Sequence, residues 1–177
     1  ARTCSTFLAE TLPSVDIAVF DEAHQLVDTG VQFLGLTLSS AQAIDLARDL
    51  LAAGLLHARG LAPWPDVVQG IDRAARNLRL AFGDRAGSRS RWPAGDEPSA
   101  FFDALQGMAQ ACQGACETLA SCGEVDPIFS LLAARVDELR RRALHLIEPA
   151  AATRVRWVDV TPHHVRLIET PLDIAAA

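Results

Sequence analysis

The sequence predicts a mainly α fold, a four-helix unit set between fragments of β-structure. Three observations predict it. Between residues 40 and 147, four segments carry apolar side chains at helical spacing, separated by caps, prolines and glycines. Ahead of them, Val15-Asp16-Ile17-Ala18-Val19-Phe20 is a short, β-branched run of the kind that forms a buried strand. After residue 150 the apolar period falls to two, the mark of strands.

Residues 1–14 form a lead-in ending at Leu12-Pro13. The strand over 15–20 runs directly into Asp21-Glu22-Ala23-His24, and a weakly helical pattern follows to about Leu34. The first strong helix spans 40–58, with Ser39 or Ser40 as N-cap and Ile44, Leu46, Leu50, Leu51 and Leu55 on its apolar stripe. A second starts near Pro65, a favourable first-turn residue, and runs to about Phe82. Gly, Asp, Arg, Ser and Pro dominate 83–97, which reads as a long exposed loop. The third helix covers 98–121 and stops before Gly123. The fourth takes Asp126 as cap and Pro127 at its first position, and ends at about Ile147. Short connections make the first and second helices, and the third and fourth, antiparallel neighbours. Residues 154–160 and 165–169 alternate around Thr161-Pro162-His163-His164 and read as a β-hairpin.

Composition narrows the function. The chain has 177 residues, half of them hydrophobic, enough for a real core. It has no apolar stretch approaching the ~20 residues of a membrane span and no secretory leader, so a cytoplasmic protein with no membrane partner is expected. Net charge is −6, which does not advertise nucleic-acid binding overall. All 16 basic residues are arginine. A phosphate-cradling P-loop requires Gly-Lys-Ser/Thr, and a chain without lysine cannot contain one. The cysteines are Cys4, Cys112, Cys116 and Cys122. The C-x3-C-x5-C spacing is not a standard zinc pattern. Cys112 and Cys116 fall in line with Phe101, Leu105, Met108 and Leu119 on one helix face and read as core; a metal-binding domain using Cys112, Cys116 and Cys122 is the alternative.

Asp21-Glu22-Ala23-His24 carries the sharpest chemical signal. Carboxylates at the carboxyl end of a buried strand sit where α/β folds hold ligands. This is the layout of a Walker-B motif, in which the aspartate holds the Mg²⁺ of a nucleotide and the glutamate polarises the attacking water.

The motif, the helical insert over 36–150, the Val155-Arg156-Trp157-Val158 hairpin and the tail Glu169-Thr170-Pro171-Leu172-Asp173-Ile174 together resemble the DinG/XPD-like DEAH-box helicases of superfamily 2. The resemblance implies three parts. Residues 1–35 would be a fragment of the first RecA-like helicase domain, 36–150 an α-helical Arch domain, and 151–177 a hairpin returning to the helicase domain. It also implies an ATP- and Mg²⁺-dependent DNA helicase, mostly 5′-to-3′ and acting in DNA repair, whose Arch guides single-stranded DNA. Asp21 would hold Mg²⁺, Glu22 would activate water and His24 would couple nucleotide state to other motifs. Walker A, motif III and the second RecA-like domain are missing from the sequence, so the chain reads as a piece of a larger monomeric protein, without ATPase activity alone. The family's iron–sulfur cysteines lie between Walker A and the DEAH box; only Cys4 precedes the box here, so a cluster belongs to the parent if anywhere. The rival reading is a non-catalytic helical protein-interaction module.

Two arginine groups are candidate DNA contacts. Arg140-Arg141-Arg142 lies on the fourth helix, where three consecutive residues cannot share one face. Arg85, Arg89 and Arg91 lie in the 83–97 loop beside Trp92, which could stack on a base or cover the end of the bundle. Each group reads either as solvated surface charge or as a grip on phosphate. His163 and His164 read as turn residues, and Trp157 as hairpin packing.

Overall fold

The computed structural model describes residues 35–83, 87–93, 99–123 and 125–172. The strand expected over 15–20, Asp21, Glu22, His24, Cys4, Arg85 and Asp173 lie outside the described residues. Among the described residues the order is β1 (Leu36–Ser39), α1 (Ser40–His57), α2 (Trp64–Leu80), β2 (Ser88–Arg91), α3 (Ala100–Ala120), α4 (Pro127–Ile147), β3 (Arg154–Val160) and β4 (Val165–Pro171). The mainly α class, the four helices and the hairpin expected from the sequence are all present.

The helix ends follow local chemistry. Asp126 accepts from the Ile128 amide at 2.9 Å and Ser99 from the Phe102 amide, each cap contributing about 1 kcal/mol. Ser39 is the N-cap of α1 by position but its side chain makes no capping bond. Its neighbour Ser40, buried, instead accepts from the Val165 amide at 3.0 Å, fastening the helix start to β4.

The helices pack in an up-down-up-down arrangement. At one end the close of α1 meets the starts of α2 and α4. Trp64 stacks on Phe129 with ring centroids 5.6 Å apart, and its Nε1–H donates to the Ala58 carbonyl at 2.9 Å. His57 pairs with Asp126 at 3.0 Å at this same end. At the other end Phe82 and Phe101, on either side of the long connection, meet edge to face at 5.3 Å, and Trp92 packs on Phe101 at 5.1 Å. Trp92 therefore covers the bundle end. The core between these ends is rich in small residues, with Ala43, Ala47, Ala75, Ala109 and Ala115 buried beside Leu50, Ile71, Leu78 and Met108. Cys112 and Cys122 are buried in it and Cys116 is half-buried; for Cys112 and Cys116 this is the packing role expected from their helical spacing.

The four strands form one antiparallel sheet in the order β1-β4-β3-β2. Two of these strands differ from the sequence reading. Residues 88–91 were expected in an exposed loop, yet pair with β3 from Ser88↔Val160 to Arg91↔Trp157. Ser-Arg-Ser-Arg has little strand propensity, and the open edge of β3 supplies the partners that local sequence does not. Likewise residues 36–39, inside the span read as helical, pair with β4. Val158, Val160, Val165, Leu167 and Leu38 join the same apolar core as the helices. Residues on both sides of position 150 thus share one core.

At Gly54, α1 lies close against the Trp64 ring at the start of α2. A Cβ there would lie 2.2 Å from Trp64 Cδ2, and that ring is pinned by Phe129 and the Ala58 carbonyl. Alanine favours a helix interior by about 1 kcal/mol over glycine. The overlap outweighs this, and Gly54→Ala is expected to destabilise the fold by about 1–3 kcal/mol, read as a lowered urea midpoint. An unchanged or raised midpoint would refute the close approach.

Candidate nucleic-acid interface

Arginine supplies every strong cation in the chain, so the site is found by separating arginines that hold the fold from those that face solvent. Arg156 belongs to the first group. It is 8% exposed and its side chain reaches the C-terminus of α4. Its guanidinium donates to the carbonyls of His145 (3.1 Å), Leu146 (3.2 Å) and Glu148. These are among the carbonyls a helix end leaves unpaired, and a cation is favoured there. Nε donates to Glu169 Oε2 at 2.6 Å, and the guanidinium lies 5.2 Å from the Trp92 ring centroid.

Glu169 is fully buried and sits directly across from Arg156 in the sheet register. It also bonds His145 Nε2 at 2.9 and 3.1 Å and Arg154 Nη1 at 3.1 Å. Burial pushes its carboxyl up, but the hydrogen bonds from His145 and Arg156 and the Arg156 charge outweigh this and hold it below its ordinary value of 4.5. Simple alternation along β3 would turn both arginines to solvent. The inner face instead carries Arg154, Arg156, Val158 and Val160, charged beneath the α4 terminus and apolar elsewhere.

Arg140, Arg141 and Arg142 fan out, as their spacing requires. Arg140 bonds Asp137 at 3.0 and 2.7 Å, Arg141 contacts Asp137 and Glu138, and Arg142 bonds Glu138 at 2.7 Å. The hydrogen bond from Arg140 holds the Asp137 carboxyl below its usual range. Arg142 also donates to the Thr37 carbonyl at 2.7 Å, tying α4 to β1 at an edge of the sheet.

Arg89 and Arg91 lie on β2, at the opposite edge of the sheet from β1. Strand spacing of about 4.8 Å puts the two edges roughly 14 Å apart, so the two expected arginine groups are separate. Arg89 and Arg91 share the sheet face turned from the bundle with Val155, Trp157, Asp159 and Arg166. Arg89 pairs with Asp159 at 3.3 Å and its guanidinium lies 5.2 Å from the Trp157 centroid. Arg166 pairs with the other oxygen of Asp159, also at 3.3 Å. Sequence reasoning missed Arg166. The hairpin register, Asp159↔Arg166 and Arg89↔Asp159, is the signal that collects it.

His163 and His164 sit in the turn between β3 and β4, where Thr161 Oγ1 accepts from the His164 amide and donates to its carbonyl. Burial pushes the Cys112 thiol up to about 12, so it stays protonated and unreactive. Among the described residues no three His, Cys, Asp or Glu side chains are grouped to hold a metal ion, and no helix is long and apolar enough to cross a membrane.

Sequence comparison finds relatives that align with nearly the whole chain. The chain is similar to ATP-dependent DNA helicase YoaA of Escherichia coli (strain K12), 28% identical over 169 residues, covering 94% of this chain and 26% of the relative. It is also similar to the ATP-dependent DNA helicase YoaA of Haemophilus influenzae, 24% identical over 170 residues, with the same coverage of each chain. The chain thus spans about a quarter of the curated relatives it matches. No protein-family model matches it.

Glu169 yields a pH prediction. Its native carboxyl titrates below the unfolded one, so its stabilisation is complete above about pH 4.5 and is lost as the pH falls through the lowered native value. Glu169→Gln is expected to cost about 3–5 kcal/mol at pH 7, since it leaves Arg156 buried without its counter-charge. The gap between wild type and variant, measured by urea unfolding, should narrow as the pH falls below the ordinary carboxyl value of 4.5. A gap independent of pH would show that the carboxylate charge is not what Arg156 requires.

Proposed function

We propose that this chain is a segment of an ATP-dependent DNA helicase that contributes the DEAH motif, an Arch-type helical insertion and a returning hairpin. The observation that carries the reading is similarity over 94% of the chain to two proteins named as ATP-dependent DNA helicases. In the parent, Asp21 would hold the Mg²⁺ of ATP, Glu22 would polarise the attacking water and His24 would relay nucleotide state. Residues 36–150 would guide single-stranded DNA as the parent moves, 5′-to-3′, in DNA repair. No iron–sulfur cluster is expected on this chain; Cys112 and Cys122 are buried in the bundle core. A cluster, if the parent has one, would use cysteines from elsewhere in that protein.

A second reading, a helical protein-interaction module, is favoured by one observation. Leu56, Leu61 and Leu131 are 77%, 62% and 64% exposed at the end of the bundle away from the sheet.

ATP hydrolysis by the full-length parent, with and without single-stranded DNA, separates the two. The helicase reading expects DNA-stimulated turnover that falls about 100-fold or more in Glu22→Gln. Turnover indifferent to Glu22, or none at all, favours the interaction module. The isolated 177-residue chain should release no phosphate above buffer, because it has no lysine for a phosphate cradle.

A further inference from the structure

We infer that the β2 side of the sheet face turned from the bundle is a phosphodiester-binding surface for single-stranded nucleic acid, formed by Arg89, Arg91 and Arg166. The inference rests on the helicase reading and names the surface of this chain that the strand would touch.

Three observations carry it. The first is charge. Among the described residues the face gathers three guanidiniums against one carboxylate, Asp159, which Arg89 and Arg166 share at 3.3 Å each. The helix group differs, with three guanidiniums divided over Asp137 and Glu138 and one of them also spent on a β1 carbonyl. The second is exposure. The Arg89 and Arg166 side chains are 71% and 58% exposed, Arg91 is exposed, and Asp159 is only 27% exposed beneath them. An approaching anion therefore meets the cations first. The third is geometry. Arg89 and Arg91 are two residues apart on one strand, about 7 Å, and Arg166 lies two strands from Arg89, about 10 Å. The three thus sit at the corners of an angle rather than in line, spread more widely than one small anion would span.

The same geometry sets the mode of recognition. The Trp157 ring carries the Arg89 guanidinium at 5.2 Å and holds it in place, so the groups that reach outward are cations suited to phosphate. Contact is then with the backbone, and binding is indifferent to base sequence.

The test is fluorescence anisotropy of labelled oligothymidylate with the full-length parent, titrated between about 50 and 200 mM salt. Arg89→Gln, Arg91→Gln and Arg166→Gln should each lower affinity about fivefold at 0.1 M salt and flatten the log–log salt slope by about 0.7, the counterion-release value for one single-strand phosphate. Asp159→Asn should raise affinity, an outcome that damage to the fold cannot produce. Arg48→Gln removes the same charge from the α1 surface, where Arg48 pairs with Asp45, and should change affinity less than about twofold. A mixed-sequence oligonucleotide should bind as oligothymidylate does. Arginine variants that bind as wild type, an Asp159→Asn variant that gains nothing, or losses no larger than that of Arg48→Gln would overturn the surface while DNA-stimulated ATP turnover left the helicase reading standing. A parent that binds no single strand overturns both.

Discussion

The buried pair Arg156–Glu169 joins the two halves of this structure. Two charges inside a protein cost more in lost hydration than they regain unless every remaining donor and acceptor is satisfied. Here the requirement is met by the fold. The guanidinium satisfies carbonyls at the end of α4, and the carboxylate takes bonds from His145 and Arg154 as well as Arg156. The α4 terminus, β3 and β4 therefore hold their places together. Shifting β4 by one residue against β3 would turn Glu169 to the other face and leave Arg156 unpaired, so the pair also specifies the hairpin register.

From that junction the rest of the architecture follows by packing. The apolar half of the sheet's inner face, Val158, Val160, Val165 and Leu167, lies on the same core as the helices. Small residues let the helices approach closely, and at the far end Trp64 fills the space that Gly54 leaves. The polar junction fixes how the strands meet α4, and the apolar core supplies the stability, because buried apolar area rather than ion pairing is the dominant favourable term in folding.

The same arrangement distributes the arginines. Those drawn inward, Arg156 and in part Arg142, become structural ties. Those on the outward face of the sheet remain open to solvent. A negatively charged protein can in this way present a locally basic strip, since surface charges further apart than about 10 Å are largely screened from one another. Net charge of −6 and nucleic-acid contact are therefore compatible in one chain.

Much of this was legible along the chain because the relevant forces are local. Asp126-Pro127 marks the start of α4, helical apolar spacing marks the four helices, and Thr161-Pro162-His163-His164 marks the hairpin turn, each through neighbours a few residues away. The pairing of Ser88–Arg91 with β3, of Leu36–Ser39 with β4, and of Arg156 with Glu169 was not legible in this way. In β2 and in the ion pair, propensity and polarity point toward loop and solvent, and partners distant in sequence reverse the outcome. The candidate surface divides along the same line: Arg89 and Arg91 stand out as a basic run, whereas Arg166 joins them because antiparallel register sets it across from Asp159. Spacing along a chain encodes helices and turns, but which charges are buried and which are exposed is settled when strands from distant parts of the chain align.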